Sequence, residues 1–455
     1  MKKSFLSFLF LAIIQFAPAQ NSTVTAIPEK DKSKIISWIK QNALPLKSVK
    51  AESGFEDLSP LKNVLKDVQI VGLGEATHGT KEFFQMKHRM LEFLVKEMGF
   101  TVLALEFNYI GTNNINDYIL YGKGDAYASL ASQGLVVWET EEIIDMIEWL
   151  RKYNQTVPDD RKVKVRGLDI RVNYVGDNFE KIKDYLKKVD IKYGSQNDSL
   201  LKMVKNMDSE SIKGINTDSC KNEYLKFLAV LSLNKADYIQ NSSKEEYEDI
   251  FQRLKIIGQN ICMNFITGGD PRSIYNEKTR LRDYYMASNF KSLVQEEKPD
   301  TKFIVWAHNM HISKTEPLDS GDIKMFGNYL KVAFGDKYYA FGFSFDKGSF
   351  QSYGYTDERK PLGMQEFNVN AIHDNTVDWY LAQTGINPFI INFRIKQIPD
   401  FMDEFLNARL LTRTIGGQVV KSHVEMMNNF IIINKCYDAL IFINHTTRAT
   451  PIVGK

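Results

Sequence analysis

Val68-Gln-Ile-Val-Gly-Leu-Gly-Glu-Ala-Thr-His-Gly79 is the stretch from which the rest of the chain is read. Its first half, Val68 to Leu73, is β-branched and apolar and too short for a helix, which predicts a core strand. Gly74 to Gly79 breaks that strand. Phe84, Leu91, Leu94, Val95 and Met98 then recur at helical spacing, so a helix is expected over 81–98, stopped by Gly99. Thr101 to Leu105 reads as a second buried strand, ending at Glu106. Strand, helix and strand in this order open an α/β sheet with parallel neighbours.

The alternation continues outward. A helix is expected over 141–153, with Ile144, Ile147, Trp149 and Leu150 on one face, and a strand over 164–167 that ends near Asp169. Short helices are expected around 37–41 and 61–65. Residues 175–298 are helical in pattern, with helices over 178–189, 199–205, 223–233, 245–265 and 276–294. Strand signals return at 303–307, 338–345, 388–393, 429–434 and 439–443. Some late strands alternate polar and apolar residues, which favours a mixed over a purely parallel sheet. The expected fold is α/β: a central mostly parallel or mixed sheet flanked by helices, with a large helical insertion or cap. The division is 1–19 leader, 20–174 first part of the core, 175–298 helical cap, 299–455 second part of the core.

Lys2 and Lys3, an apolar run from Phe5 to Phe16 and Ala17-Pro18-Ala19 form the pattern of a secretory signal peptide. Export is expected, to the periplasm of a Gram-negative cell. The apolar run is too short for a comfortable bilayer span, so no membrane span is expected. The formal net charge is +2, and the leader carries two lysines, so the mature chain is near neutral. No dense basic face is present, which argues against nucleic acid as a partner. Three widely spaced cysteines, Cys220, Cys262 and Cys436, make no disulfide framework and read as small buried hydrophobes, with a single Cys220–Cys262 bridge as the alternative.

Sites in open α/β sheets form outside the carboxyl ends of the strands. Those ends here carry Glu75 and His78, then Glu106, then His308 and His311, with Asp169 as a further candidate. A carboxylate at the end of an apolar strand is costly to bury unless paired. Beside a histidine it fixes the imidazole tautomer, leaving the ring a competent general base. Lys87, on the first helix, could bring positive charge to a developing oxyanion. Glu75, His78, Glu106, His308 and His311 would also supply enough donors for zinc. Neither segment is HExxH on a helix, and the residues alone leave the metal reading open. No Gly-x-Ser-x-Gly elbow or phosphate-binding loop is present.

These pieces together resemble the erythromycin esterase family. The resemblance rests on Val71-Gly-Leu-Gly-Glu-Ala-Thr-His78, Glu82-Phe-Phe-Gln-Met-Lys87, Ala104-Leu-Glu-Phe107, Trp149-Leu-Arg-Lys-Tyr-Asn154, Gly167-Leu-Asp169, Arg282-Asp-Tyr-Tyr-Met-Ala287 and Ala307-His-Asn-Met-His-Ile312. It spans roughly residues 30–450. It implies an esterase that opens the ring ester of 14-membered macrolides without metal or other cofactor. It implies His78 as the base for a water, Glu75 as its orienting partner, and Glu106, His308 and His311 as the facing wall. Lys87 stands where relatives often carry Arg, so charge is kept and the bidentate fork is lost. Arg282 is the residue expected to reach the site from the helical tract. A macrolactone needs a wide cleft lined by aromatics with a few polar points. Phe107, Tyr109, Trp138 and Asn309 are the expected lining residues. The alternatives are a hydrolase of the same fold with another ester or a metal-assisted substrate, and a non-catalytic ligand-binding relative.

Overall fold

The structure, a computed structural model, describes residues 23–171, 176–196, 217–264, 266, 269–318 and 323–452. The expected leader and the expected helix over 199–205 lie outside them. The strands are β1 (Leu44–Pro45), β2 (Ile70–Leu73), β3 (Val102–Asn108), β4 (Lys164–Asp169), β5 (Phe303–Trp306), β6 (Tyr338–Tyr355), β7 (Pro361–Val369), β8 (Phe389–Asn392), β9 (Leu410–Arg413), β10 (Gln418–Val420), β11 (Asn428–Ile431) and β12 (Ala439–Thr446). The main sheet has the order β1-β8-β12-β6-β2-β5-β3-β4. From β12 to β4 every neighbour is parallel. At the other edge β8 and β1 run antiparallel. The sheet is therefore mixed and flanked by helices, as the late strands suggested.

The helix Lys81–Met98 ends at Gly99, whose φ of 73° lies in the left-handed region. It returns the chain not to the neighbour of β2 but one place further. β5 lies between β2 and β3, with Leu73 and Leu105 both level with Trp306. The carboxyl ends of β2, β5 and β3 thus emerge side by side. Alternation along the strands sends successive side chains to opposite faces of the sheet. Leu103, Leu105 and Trp306 face the helix Lys81–Met98, while Val102, Ala104 and Val305 face the helix Pro271–Glu296. By the same period Glu106 belongs to the second face.

The helical tract has its own core of Ile182, Leu186, Phe227, Leu254 and Ile257, closed against Ile110 and Ile170. The helix Pro271–Glu296 serves both parts. Leu281 and Tyr285 pack on the tract, and Met286, Phe290 and Leu293 pack on the sheet.

Four expectations change. The weak helix near 37–41 is part of a longer one, Glu29–Asn42, anchored by buried Ile35, Trp38 and Ile39. β6 continues past Phe345 to Tyr355, because β7 and β10 pair with its far half. The apolar run near 429–434 is no core strand: β11 pairs with β9 in a separate two-stranded sheet. A helix unforeseen in sequence, Tyr109–Tyr121, follows β3. Cys262 and Cys436 are free thiols. Among the described residues no helix is long and apolar enough to cross a membrane.

Candidate active site

The turn after β2 is shaped by close approach. A Cβ at Gly74 would lie 2.1 Å from Asn309 Oδ1, so only glycine lets the two strand ends meet. Glu75 comes next and is fully buried. Its Oε1 bonds His78 Nδ1 at 2.5 Å, and its Oε2 accepts from Lys87 Nζ at 2.6 Å. Trp306 Nε1 donates to Oε2 at 3.1 Å and Trp138 Nε1 to Oε1 at 3.4 Å. Burial opposes the charge on Glu75, but Lys87 and His78 outweigh it and hold its pKa down at about 2. Burial lowers Lys87 to about 8 against the pull of Glu75. Lys87 is thus the anchor of Glu75, with its ammonium over the Trp306 ring at 4.4 Å, rather than a group open to substrate.

An ionised Glu75 acts only as acceptor, so His78 gives it the Nδ1 proton. His78 Nε2 has no hydrogen-bond partner among the described residues. Its side chain keeps 12% exposure where that of Glu75 has none. Trp138 and His308 rings each lie 4.9 Å from the His78 ring, the former edge to face. The imidazole is therefore fixed on one nitrogen and open on the other.

The second group lies on the other face. Glu106 Oε1 accepts from Arg282 Nη2 at 2.7 Å, and Oε2 from the His308 backbone N–H at 2.9 Å. Arg282 also grips Asp169, Nε to Oδ1 at 2.9 Å and Nη2 to Oδ2 at 2.8 Å. Arg171 Nε meets the same carboxylate at 2.6 Å. His311 Nδ1 bonds Asp283 Oδ1 at 2.8 Å, and its Nε2 lies 3.3 Å from Glu106 Oε1. Burial disfavours a charged His311, but Asp283 and Glu106 outweigh it and carry its pKa up to about 9. Arg282 Nη1 stands 2.8 Å from the same Nε2, a contact that would bond only the neutral ring. We assign the imidazolium, because Glu106, Asp169 and Asp283 then balance Arg171, Arg282 and His311 charge for charge. Glu106 is held well below the usual carboxylate range: burial opposes this, and His311 and Arg282 prevail.

His308 is spent differently. Its Nδ1 accepts from the Met310 N–H at 3.3 Å, and its Nε2 faces the Ile415 carbonyl at 3.2 Å, so it is neutral with the proton on Nε2. Burial lowers its pKa to about 3, in agreement.

Of the residues singled out in sequence, Glu75, His78 and Lys87 form one group and Glu106, Asp169, Arg282 and His311 another, with His308 between them, its N–H on Glu106 and its ring 4.9 Å from that of His78. Sequence reasoning placed Asn309 and Tyr109 on the cleft wall, and they do other work. The Asn309 amide bonds both backbone groups of Phe343, at 2.7 and 2.9 Å. Tyr109 turns into the helical tract, in a pocket shared with Arg166 and Glu296. Phe107 is buried against Trp138. Asp283 and Trp306 were missed, though Asp283 stands directly after Arg282 in the segment Arg282–Ala287. Among the described residues no set of three or more His, Cys, Asp or Glu surrounds a point that could hold a metal ion. The donors are turned onto one another and onto Lys87 and Arg282.

The chain is similar in sequence and fold to several known proteins. Erythromycin esterase type II of Escherichia coli is 27% identical over 420 residues, covering 85% of this chain and 98% of that protein. A crystal structure of a Bacillus cereus protein superposes with TM-score 0.78 at 27% identity, covering 92% of this chain and 99% of the other. An erythromycin esterase mutant in its open conformation shares the fold, with TM-score 0.64 at 17% identity over 88% of this chain and 96% of that one. The profile of the erythromycin esterase family matches residues 95–446, and this chain belongs to that family.

Proposed function

We propose that this protein is a carboxylic ester hydrolase that opens the ring ester of 14-membered macrolides by direct attack of water. The observation that carries the reading is His78, tied through Nδ1 to a buried, lysine-backed Glu75 and open at Nε2. Nε2 takes a proton from water as the hydroxide oxygen bonds to the ester carbonyl carbon. Charge developing on the imidazole is met by Glu75. The proton then passes to the ring alkoxide as the C–O bond breaks, which restores neutral His78. Arg282, His311 and Glu106 form the polar wall that orients the water. No metal, cofactor or covalent intermediate takes part. The leader pattern of Lys2, Lys3 and the run to Phe16 supports action in the periplasm.

The test is incubation of the purified protein with erythromycin, with water addition read by mass spectrometry, with and without chelator. Product is expected in both arms. His78→Ala is expected to lower kcat by about 10²–10⁴-fold and, because buried Glu75 loses a donor, to lower stability by about 1–3 kcal/mol, so kcat is read on protein shown to be folded. Absence of product across several 14-membered macrolides would sink the substrate assignment. A wild-type rate in His78→Ala would remove the base assignment. Loss of activity with chelator, restored by zinc, would overturn metal independence.

A further inference from the structure

The loop Ile415-Gly416-Gly417 passes beside His78, with Gly417 against the Cδ2 edge of its ring. It is tied down through its oxygens. The Ile415 carbonyl faces His308 Nε2 at 3.2 Å, Gly416 O accepts from Ser352 Oγ at 3.2 Å, and Gly417 O accepts from the Tyr353 N–H at 3.0 Å. The Ile415 N–H donates to Ala76 O at 2.8 Å, which locks the loop to the turn bearing His78. The two glycine N–H groups have no acceptor among the described residues. Backbone donors are rarely left so, and unspent ones in a part-buried loop serve water or a ligand.

Glycine itself is not demanded by the backbone. Neither residue has positive φ. A Cβ at Gly416 would meet nothing within 4 Å, and one at Gly417 would meet only His78 Cδ2, at 3.5 Å. Cδ2 is bonded to Nε2, the nitrogen that is open. The missing side chain of Gly417 therefore leaves room beside the proposed base, Gly416 next to it opens onto free space, and both N–H groups are unspent.

Resting on the ester-hydrolase reading above, we infer that Gly416 and Gly417 form the oxyanion-binding wall: the scissile carbonyl lies against them, and their N–H groups donate to its oxygen as the tetrahedral intermediate forms. Donors fixed before reaction stabilise such charge strongly, and loss of one costs about 10²–10³ in kcat.

Gly416→Pro removes one donor, and Gly416→Ala keeps it while adding a methyl at the same place. With erythromycin, kcat of Gly416→Pro is expected at least tenfold below that of Gly416→Ala, with KM similar in the two. Equal values in two folded variants overturn the donor role. If Gly416→Pro does not fold, Gly417→Val carries the test. Its isopropyl group against His78 is expected to lower kcat/KM tenfold or more, and full activity overturns the placement. Methylphosphonate, a tetrahedral oxyanion, separates this inference from its parent. Titrated into ¹⁵N-glycine-labelled protein, it is expected to shift two glycine amide resonances, one of them absent in Gly416→Ala. Those shifts in a protein that cleaves no macrolide support the wall and sink only the substrate. No shift of any glycine amide overturns the wall.

Discussion

Glu75 takes four donors on its two oxygens and has no exposed surface. Such a carboxylate stays an anion only while its cation stays with it. Lys87→Met leaves the charge alone and is expected to lower stability by about 3–5 kcal/mol. Glu75→Gln combined with Lys87→Met removes both charges and is expected to recover part of that loss. Urea unfolding checks this, and a double variant no more stable than Lys87→Met would show that the pair is not coupled. Glu75, His78, Glu106, His308 and His311 were legible because polar residues stand out at the ends of apolar strands. Their separate jobs were not. His308 and His311 read alike in sequence, yet one meets a carbonyl and the other a carboxylate, and that is decided by Ile415 and Asp283. Trp306 was illegible as a donor because its ring also completes an apolar strand.

Asp283 shows how helices are joined at this site. Its Oδ1 accepts from His311 and from the Phe326 backbone N–H, at 2.8 Å each. It so links the helix Pro271–Glu296, the turn after β5 and the start of the helix Phe326–Phe334. Asp283→Ala strands a buried N–H and is expected to cost about 2–3 kcal/mol, measured by urea unfolding. A change under about 0.5 kcal/mol, the range of an ordinary surface substitution, would mean that the joint adds nothing to stability. Elements with strong period were legible: the helix Lys81–Met98 has the bounds its apolar spacing predicts. The helix Tyr109–Tyr121 was not, since Asn113, Asn114, Asn116 and Asp117 blur its apolar face. Its start was marked all the same by Asn108, whose Oδ1 caps the N–H groups of Ile110 and Gly111. The apolar run Phe430–Ile433, within the strand expected over 429–434, misled for the opposite reason, since hydrophobicity marks a buried strand without naming its sheet.

The charge clusters make the whole molecule sensitive to pH on both sides. Glu75 moves from 4.5 to about 2 on folding, so the unfolded chain binds the extra proton between those values. Stability is then lost as pH falls through that window, and Glu106 and Asp169, also lowered, act in the same direction. His311 rises from 6.5 to about 9, so its contribution is complete below 6.5 and lost as pH rises through 9. That loss is on the order of 3 kcal/mol. Lys87, lowered from 10.5 to about 8, opposes it above pH 8. His308 and His88, lowered by burial from 6.5 to about 3, cost stability as pH falls below 6.5, so the thermal midpoint is expected to be highest near pH 6.5. His311→Gln is expected to flatten the decline from 6.5 to 9, and an undiminished decline in that variant would assign it to other groups.

The position of β5 bears on how the chain comes to be folded. β2 and β3 are not partners; each pairs with β5, which is synthesised only after the helical tract. The centre of the sheet therefore cannot close strand by strand from the N-terminus, and the closure entropy of the long intervening segment must be met first. On a ribosome, Glu75 with His78 and Glu106 would wait on separate segments until Phe303–Trp306 slots between them. The two charge clusters would then come together in one late step, so a nascent or truncated chain lacking that strand carries every residue of the first cluster but Trp306 without the strand that sets it beside Glu106.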